Sequence, residues 1–131
     1  MTAEERELLE ALWVETDVTV EGVGEFVCGC ADNPPPARGG FVVITSDEPF
    51  ARPIGDEETL ARRLELATAV RQRGWDSAPA VGMSPDGRHA EHGVALWDVE
   101  RDEWLALAQR FEQLAVFVVD ADGAMRFEWC D

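Results

Sequence analysis

Short apolar segments of strand type occur in neighbouring pairs along the chain, and single amphipathic helices separate these pairs. The segment Phe41–Thr45 is apolar and β-branched at most of its positions, which is typical of a strand buried on both faces. Further strands are predicted near residues 18–20, 26–30, 78–83, 89–99, 114–119 and 125–129, and helices follow Thr2 and cover 57–73 and 102–113. This order predicts an α+β fold (a mixed α/β sandwich), in which about three helices pack on one central, largely antiparallel sheet.

The helix boundaries and their inward faces are predicted from local signals. Thr2 and Glu5 form a capping-box pattern, and Asp56 and Gly74 are placed to begin and end the second helix. Helical spacing of the apolar residues predicts which side chains face the core. In the second helix these are Leu60, Leu64, Ala67 and Val70, and in the third helix they are Trp104, Leu105, Ala108 and Phe111.

Length and charge restrict the organisation and the partners. A chain of 131 residues predicts a single domain, 1–131, and its 27 acidic residues against 11 arginines and no lysine give a net charge of −16. This charge repels nucleic-acid phosphates and anionic membranes over about 10 Å, so we expect an unidentified small molecule or protein as the partner instead. The chain contains no apolar run of about 20 residues, and its acidic start is unlike a signal peptide, so we expect a cytoplasmic location.

Several types of chemistry lack the residues that they need. Without lysine and tyrosine, the chain excludes Schiff-base chemistry and tyrosine acid catalysis. Cys28, Cys30 and Cys130 with one histidine form a conceivable metal set, but the spacing is not that of common zinc sites, and buried apolar cysteines are the favoured interpretation. His89 and His92 are three residues apart on a predicted strand, on opposite faces, and do not fit a metalloprotease motif. We therefore predict no metal and no cofactor.

Four segments carry a resemblance to a known family. They are Ile-Thr-Ser-Asp-Glu-Pro at 44–49, the acidic and arginine-rich helix that follows, His-Ala-Glu-His-Gly at 89–93, and Arg-Phe-Glu-Gln-Leu-Ala-Val-Phe at 110–117. In this order they resemble domain-of-unknown-function family 3293, a group of small bacterial proteins, over roughly residues 41–129. The family pattern has asparagine where this chain has Glu48, and glycine where it has Glu112. The resemblance implies a fold and a candidate surface, and no reaction.

The resemblance marks Thr45, Pro49, Glu91, Phe111 and Gln113. Each has a structural interpretation: Thr45 closes a strand, Pro49 forms a turn, Phe111 packs in the core, Gln113 satisfies carbonyls at a helix end, and Glu91 is a surface residue or a buried acid paired with arginine. The functional interpretation is that the ends of the strands bring the polar residues, Thr45, Glu91 and Gln113, together at one end of the sheet.

Two hypotheses for the function follow. The first is a non-enzymatic module that binds a ligand or a protein. The alternative is a small enzyme that uses Glu91 as general acid or base on a small anionic or polar substrate, with Gln113 or Thr45 orienting it. Metal binding and DNA mimicry are lesser alternatives.

Ligand-binding roles are assigned to Ser46, Glu48, Arg52 and Arg63. Arg52 and Arg63, with Arg62, could receive an anionic group at the start of the second helix, although three acidic residues at 56–58 compete for this position. The site hypothesis requires Thr45, Glu91 and Gln113 to meet in one concave pocket.

Overall fold

The computed structural model describes residues 1–29 and 32–131. In these residues the chain forms three α-helices, a single 3₁₀ turn and seven strands, and the predicted α+β class is correct. The helices are α1 (Ala3–Trp13), α2 (Asp56–Arg73) and α3 (Arg101–Arg110), and the 3₁₀ turn is Pro49–Ala51. The strands are β1 (Asp17–Val20), β2 (Gly24–Val27), β3 (Phe41–Thr45), β4 (Asp76–Met83), β5 (Ala90–Trp97), β6 (Ala115–Val119) and β7 (Met125–Trp129).

The strands form one antiparallel sheet in the order β2-β1-β4-β5-β3-β6-β7. In a flat sheet, β2 and β3 would be roughly 19 Å apart, because neighbouring strands are about 4.8 Å apart. The rings of Phe26 in β2 and Phe41 in β3 are nevertheless only 5.3 Å apart, centroid to centroid. The sheet therefore curls, and these rings lie on its concave face.

Contacts near the two edge strands hold the curl. The backbone N–H of Gly29, just after β2, donates to the carbonyl of Met125 in β7 at 3.1 Å. The side chain of Asn33 donates to the carbonyls of Val27 and Gly123, at 2.8 and 3.1 Å. The loop after β2 is thereby tied to the turn between β6 and β7.

Each face of the sheet has its own apolar core, and β3 contributes to both. Val42 and Ile44 pack with α2 and α3, whereas Phe41 and Val43 face the concave side with residues of the other strands. This two-sided burial explains the continuous apolar sequence of β3.

Helix α1 lies against the concave side near β7. Thr2 caps the helix as predicted, since its Oγ1 accepts from the N–H of Glu5 at 3.1 Å. The ring of Trp13 contacts those of Phe127 and Trp129 edge to face, at centroid distances of 5.6 and 5.0 Å. Within the described chain, none of the helices has the length and apolar character that a membrane span requires.

The predicted inward face of α2 is wrong in part. Leu60 and Leu64 are 58% and 63% exposed, and the buried residues are Leu66, Ala69 and Val70. The helix is rotated because Arg62 and Arg63 face the loop after β3, where they bond to the carbonyl of Ser46 and the carboxylate of Asp47. Because helical spacing fits more than one apolar stripe here, these polar contacts decide between them.

Two smaller expectations for the helices have different outcomes. The N-cap of α2 is Gly55, not Asp56, which is the first helical residue. In α3, Trp104, Ala108 and Phe111 are buried and Leu105 packs partly buried against them, so the predicted face is correct.

Of the conceivable thiolate set, the two members that the structure describes, Cys28 and Cys130, lie in different cores. Cys28 belongs to the core of the concave face, and Cys130 belongs to the core under α2 and α3. Both are buried free thiols, and burial raises the pKa of each. Cys30, the third member, lies outside the described residues.

Candidate functional site

A cavity of about 370 Å³ lies between α1 and the concave face of the sheet. Its walls are largely apolar and include Leu9, Trp13, Val18, Val43 and Phe117. This volume falls in the range of small-molecule sites, about 300–1,000 Å³. The cavity exists because the curled sheet cannot fill its own concave side and α1 covers it.

The polar end of the cavity contains Thr45, Glu91 and Gln113. Thr45 is the last residue of β3, Glu91 lies near the start of the antiparallel neighbour β5, and Gln113 follows α3. The structure thus brings these three distant residues to one concave surface.

Thr45 and Gln113 contact each other directly. The Thr45 hydroxyl donates to Oε1 of Gln113 at 2.7 Å, and Nε2 of Gln113 donates to the carbonyl of Phe111 at 3.1 Å. The second bond fixes the orientation of the amide, which satisfies a carbonyl at the end of α3. Gln113 therefore satisfies a carbonyl at a helix end, as its structural interpretation predicted, and it also forms part of the cavity wall.

Glu48, His89 and Glu91 form a cluster at the same polar end. Nε2 of His89 lies 3.3 Å from Oε2 of Glu48 and 3.8 Å from Oε2 of Glu91. Residues 89 and 91 point to the same side because alternate residues of an extended chain share a face. The imidazole thus lies between two carboxylates.

The surroundings of Glu91 disfavour its charged form. Its side chain is 27% exposed, and its pKa is raised to about 7, first by burial and then by the nearby carboxylate of Glu48. His89 acts in the opposite direction. A half-buried carboxyl of this kind in a cavity is typical of functional sites.

The other predicted ligand-binding residues lie outside this cavity. Ser46 is fully buried, and its hydroxyl has no hydrogen-bond partner among the described residues. Arg63 donates from Nε and Nη2 to the carboxylate of Asp47 at 2.8 and 2.7 Å. Arg52 is exposed beside a neighbouring depression that also includes Phe50.

Asp47 and Arg62 have structural roles that the sequence did not indicate. Asp47 is buried and also accepts from the backbone N–H of His92 at 2.9 Å. Arg62 donates to the carbonyls of Ser46 and Phe111 and pairs with Glu112. The guanidinium groups of Arg62 and Arg63 are thus both bonded to groups of the protein itself. Their geometry therefore gives no support to the predicted anion site at the start of α2.

The segment that carries Glu48 has an unusual backbone. Phe50 and Ala51 both have positive φ, 51° and 58°, which costs free energy for residues with a Cβ atom. The N–H of Phe50 donates to the carbonyl of Glu112 at 2.7 Å, and Ala51 lines the cavity. The strained turn thereby fixes Glu48 next to the end of α3.

Sequence reasoning missed His89 and the apolar wall from α1. The alternation of His89 and Glu91 was a usable signal, since it places both side chains on one face of a strand. The contribution of Leu9 and Trp13 had no such signal, because it depends on how far the sheet curls.

Comparison with known proteins identifies one matching family. The family described as "Protein of unknown function (DUF3293)" matches residues 44–116, which is more than half of the chain. The match includes the polar end of the cavity and excludes α1. No curated protein and no solved structure matches the chain.

Proposed function

The chain belongs to the DUF3293 family, and we propose that it binds a small molecule in the cavity between α1 and the concave face of the sheet. The cavity itself carries this proposal. It combines apolar walls with a few polar groups gathered at one end, which is the usual composition of a small-molecule site. The net charge of −16 also favours a small molecule over nucleic acid or an anionic membrane as the partner.

The lining residues indicate the general shape of the ligand. Trp13 and Phe117 offer apolar surface for an aromatic or aliphatic body, and Thr45, Glu48 and Glu91 offer polar contacts for one head group. Because the cavity is concave and partly covered by α1, it suits a small molecule better than a protein surface.

A cavity-filling variant tests the proposal. A library of fragments with an apolar body and one polar group is screened by ligand-observed NMR against the wild-type protein. Ala115 lines the cavity, so Ala115→Phe should abolish binding of the hits. Leu64→Phe on the exposed face of α2 is the matched control and should bind normally.

Two results would contradict the proposal. One is the absence of any hit with the wild-type protein. The other is unchanged binding to Ala115→Phe, once circular dichroism has shown that this variant is folded.

The enzymatic alternative also has a structural basis, because the carboxyl group of Glu91 lies in the cavity with Thr45 and Gln113. Mass spectrometry of the bound fragments separates the two functions. Binding without conversion supports the binding module. Conversion that Glu91→Gln removes, while binding persists, would instead assign catalysis to Glu91.

A further inference from the structure

The cluster of Glu48, His89 and Glu91 has the composition of a metal site. Each residue offers one ligand atom, and these atoms all lie within 4.8 Å of one another. Donor atoms that bind one transition metal at about 2.0–2.2 Å are roughly 3–4 Å apart. The separations of 3.3 and 3.8 Å between His89 Nε2 and the two carboxylates fall in this range.

The charges in the cluster are poorly balanced without a cation. Among the described residues, the ion-pair partner of Glu48 and of Glu91 is His89 alone, and Arg88, which also lines the cavity, pairs with neither. Arg62 and Arg63 bond to Glu112 and Asp47 instead. One divalent cation would compensate both carboxylates while leaving the imidazole neutral.

We propose that Glu48, His89 and Glu91 bind one divalent transition-metal ion of the Zn²⁺ type at the polar end of the cavity. An imidazole with two carboxylates suits such ions, whereas Mg²⁺ and Ca²⁺ prefer oxygen ligands throughout. Glu48 lies in the turn before Pro49, and His89 directly precedes β5. Glu91 lies near the start of β5, where it pairs with Gly82 of β4.

The three protein ligands leave at least one coordination position open, and it faces the cavity. This inference deepens the proposed function, because the ion would contact the head group of a ligand there. An oxygen-donor head such as a carboxylate would fit. The ion itself binds without the organic ligand, so its binding can be measured separately.

Calorimetry with the metal alone provides the test. Titration of the metal-free full chain with ZnCl₂ should show one saturable site per chain, and MgCl₂ should show none. Glu91→Gln and His89→Gln should each weaken Zn²⁺ affinity by more than about tenfold, since even outer contacts of a metal site are worth that much.

His92→Gln is the matched control. The chain has two histidines, and His92 is exposed outside the cluster, so its replacement should leave the Zn²⁺ affinity unchanged. His89 is 52% exposed, and its replacement should leave the far-ultraviolet circular dichroism spectrum as it is.

Three calorimetric results would overturn the proposal: no saturable Zn²⁺ binding to the wild-type protein, unchanged affinity in both cluster variants, or an equal loss in His92→Gln. An intense thiolate band in the near-ultraviolet spectrum of the Co²⁺ form would also do so, since it would place the ion on cysteine. If the protein binds Zn²⁺ but no fragment, the metal site stands and the proposed function fails. If it binds fragments but no Zn²⁺, the proposed function stands and the metal site fails.

Discussion

The hydroxyl of Thr45 donates to the side-chain oxygen of Gln113 across 2.7 Å, although 68 residues separate the two in the sequence. This bond joins the end of β3 to the segment after α3 and forms part of the polar end of the cavity. Gln113 is buried, so its oxygen has little access to water as a replacement partner. The pair therefore combines a structural contact with a position in the candidate site.

Thr45→Val should lower the free energy of unfolding by about 1–2 kcal/mol, because it leaves the buried Gln113 oxygen without a donor. Urea denaturation measures the change. A double-mutant cycle with Gln113→Leu should give a coupling energy of about 1 kcal/mol. Strict additivity of the two substitutions would show that this hydrogen bond contributes nothing to stability.

Asp47→Ala should lower the free energy of unfolding by about 2–3 kcal/mol, as seen by urea denaturation. The substitution removes both acceptors of Arg63 and leaves the N–H of His92 unpaired. Asp131→Ala is the control, since it breaks an exposed pair with Arg6 at 2.8 Å and should cost less than about 1 kcal/mol. Similar losses in the two variants would contradict the assigned role of Asp47.

The sequence predicted where strands occur along the chain because each carries a local apolar pattern, as in Phe41–Thr45. It did not predict the order of the strands in the sheet. It failed for the inward face of α2, where Leu60 and Leu64 offered an equally regular stripe. The hydrogen bonds of Arg62 and Arg63 to the loop after β3 decide the rotation of this helix. Such long-range contacts leave no periodic trace in the sequence.

The meeting of Thr45, Glu91 and Gln113 was predictable because strand ends in one sheet collect at a common edge. The part of the cavity wall that α1 forms could not be predicted, because it depends on the curl of the sheet that brings Phe26 close to Phe41. The arginines near α2 looked free to bind an anion, but Arg63 already pairs with the buried Asp47. Whether a charged side chain is free depends on partners that sequence distance does not show.

Glu112, the second residue after α3, adopts a left-handed conformation with φ 58°. The N–H groups of Glu112 and Gln113 donate to the carbonyls of Gln109 and Ala108, which is the Schellman arrangement that usually has glycine at this position. Glu112→Gly should therefore be more stable than Glu112→Ala by about 1 kcal/mol in urea denaturation.

The two variants are a matched pair, because both lose the ion pair to Arg62 at 3.3 Å. They differ in the strain of the left-handed backbone and, in the opposite direction, in the conformational entropy of the unfolded chain. Glu112→Gly should equal or exceed the wild-type stability, since a pair whose glutamate is 42% exposed contributes little. An alanine variant as stable as the glycine variant would mean that the left-handed backbone carries no cost here. The glycine of the family pattern at this position would then need another explanation.

Gly93 is required where β5 passes between β3 and β4. A Cβ atom at this position would lie 2.0 Å from the carbonyl oxygen of Ile44, which belongs to the backbone of β3 and cannot move aside without separating the strands. Gly93→Ala should therefore cost at least about 3 kcal/mol or prevent folding. Gly82→Ala in the adjacent β4 is the matched control, because its nearest new contacts, from 3.8 Å, are ordinary van der Waals distances. It should change the free energy of unfolding by less than about 1 kcal/mol.

Urea denaturation compares the two glycine variants, and soluble expression provides the readout if Gly93→Ala does not fold. If both alanines were equally tolerated, the close approach of β5 to β3 that places Glu91 near Thr45 would not be a fixed feature of the fold.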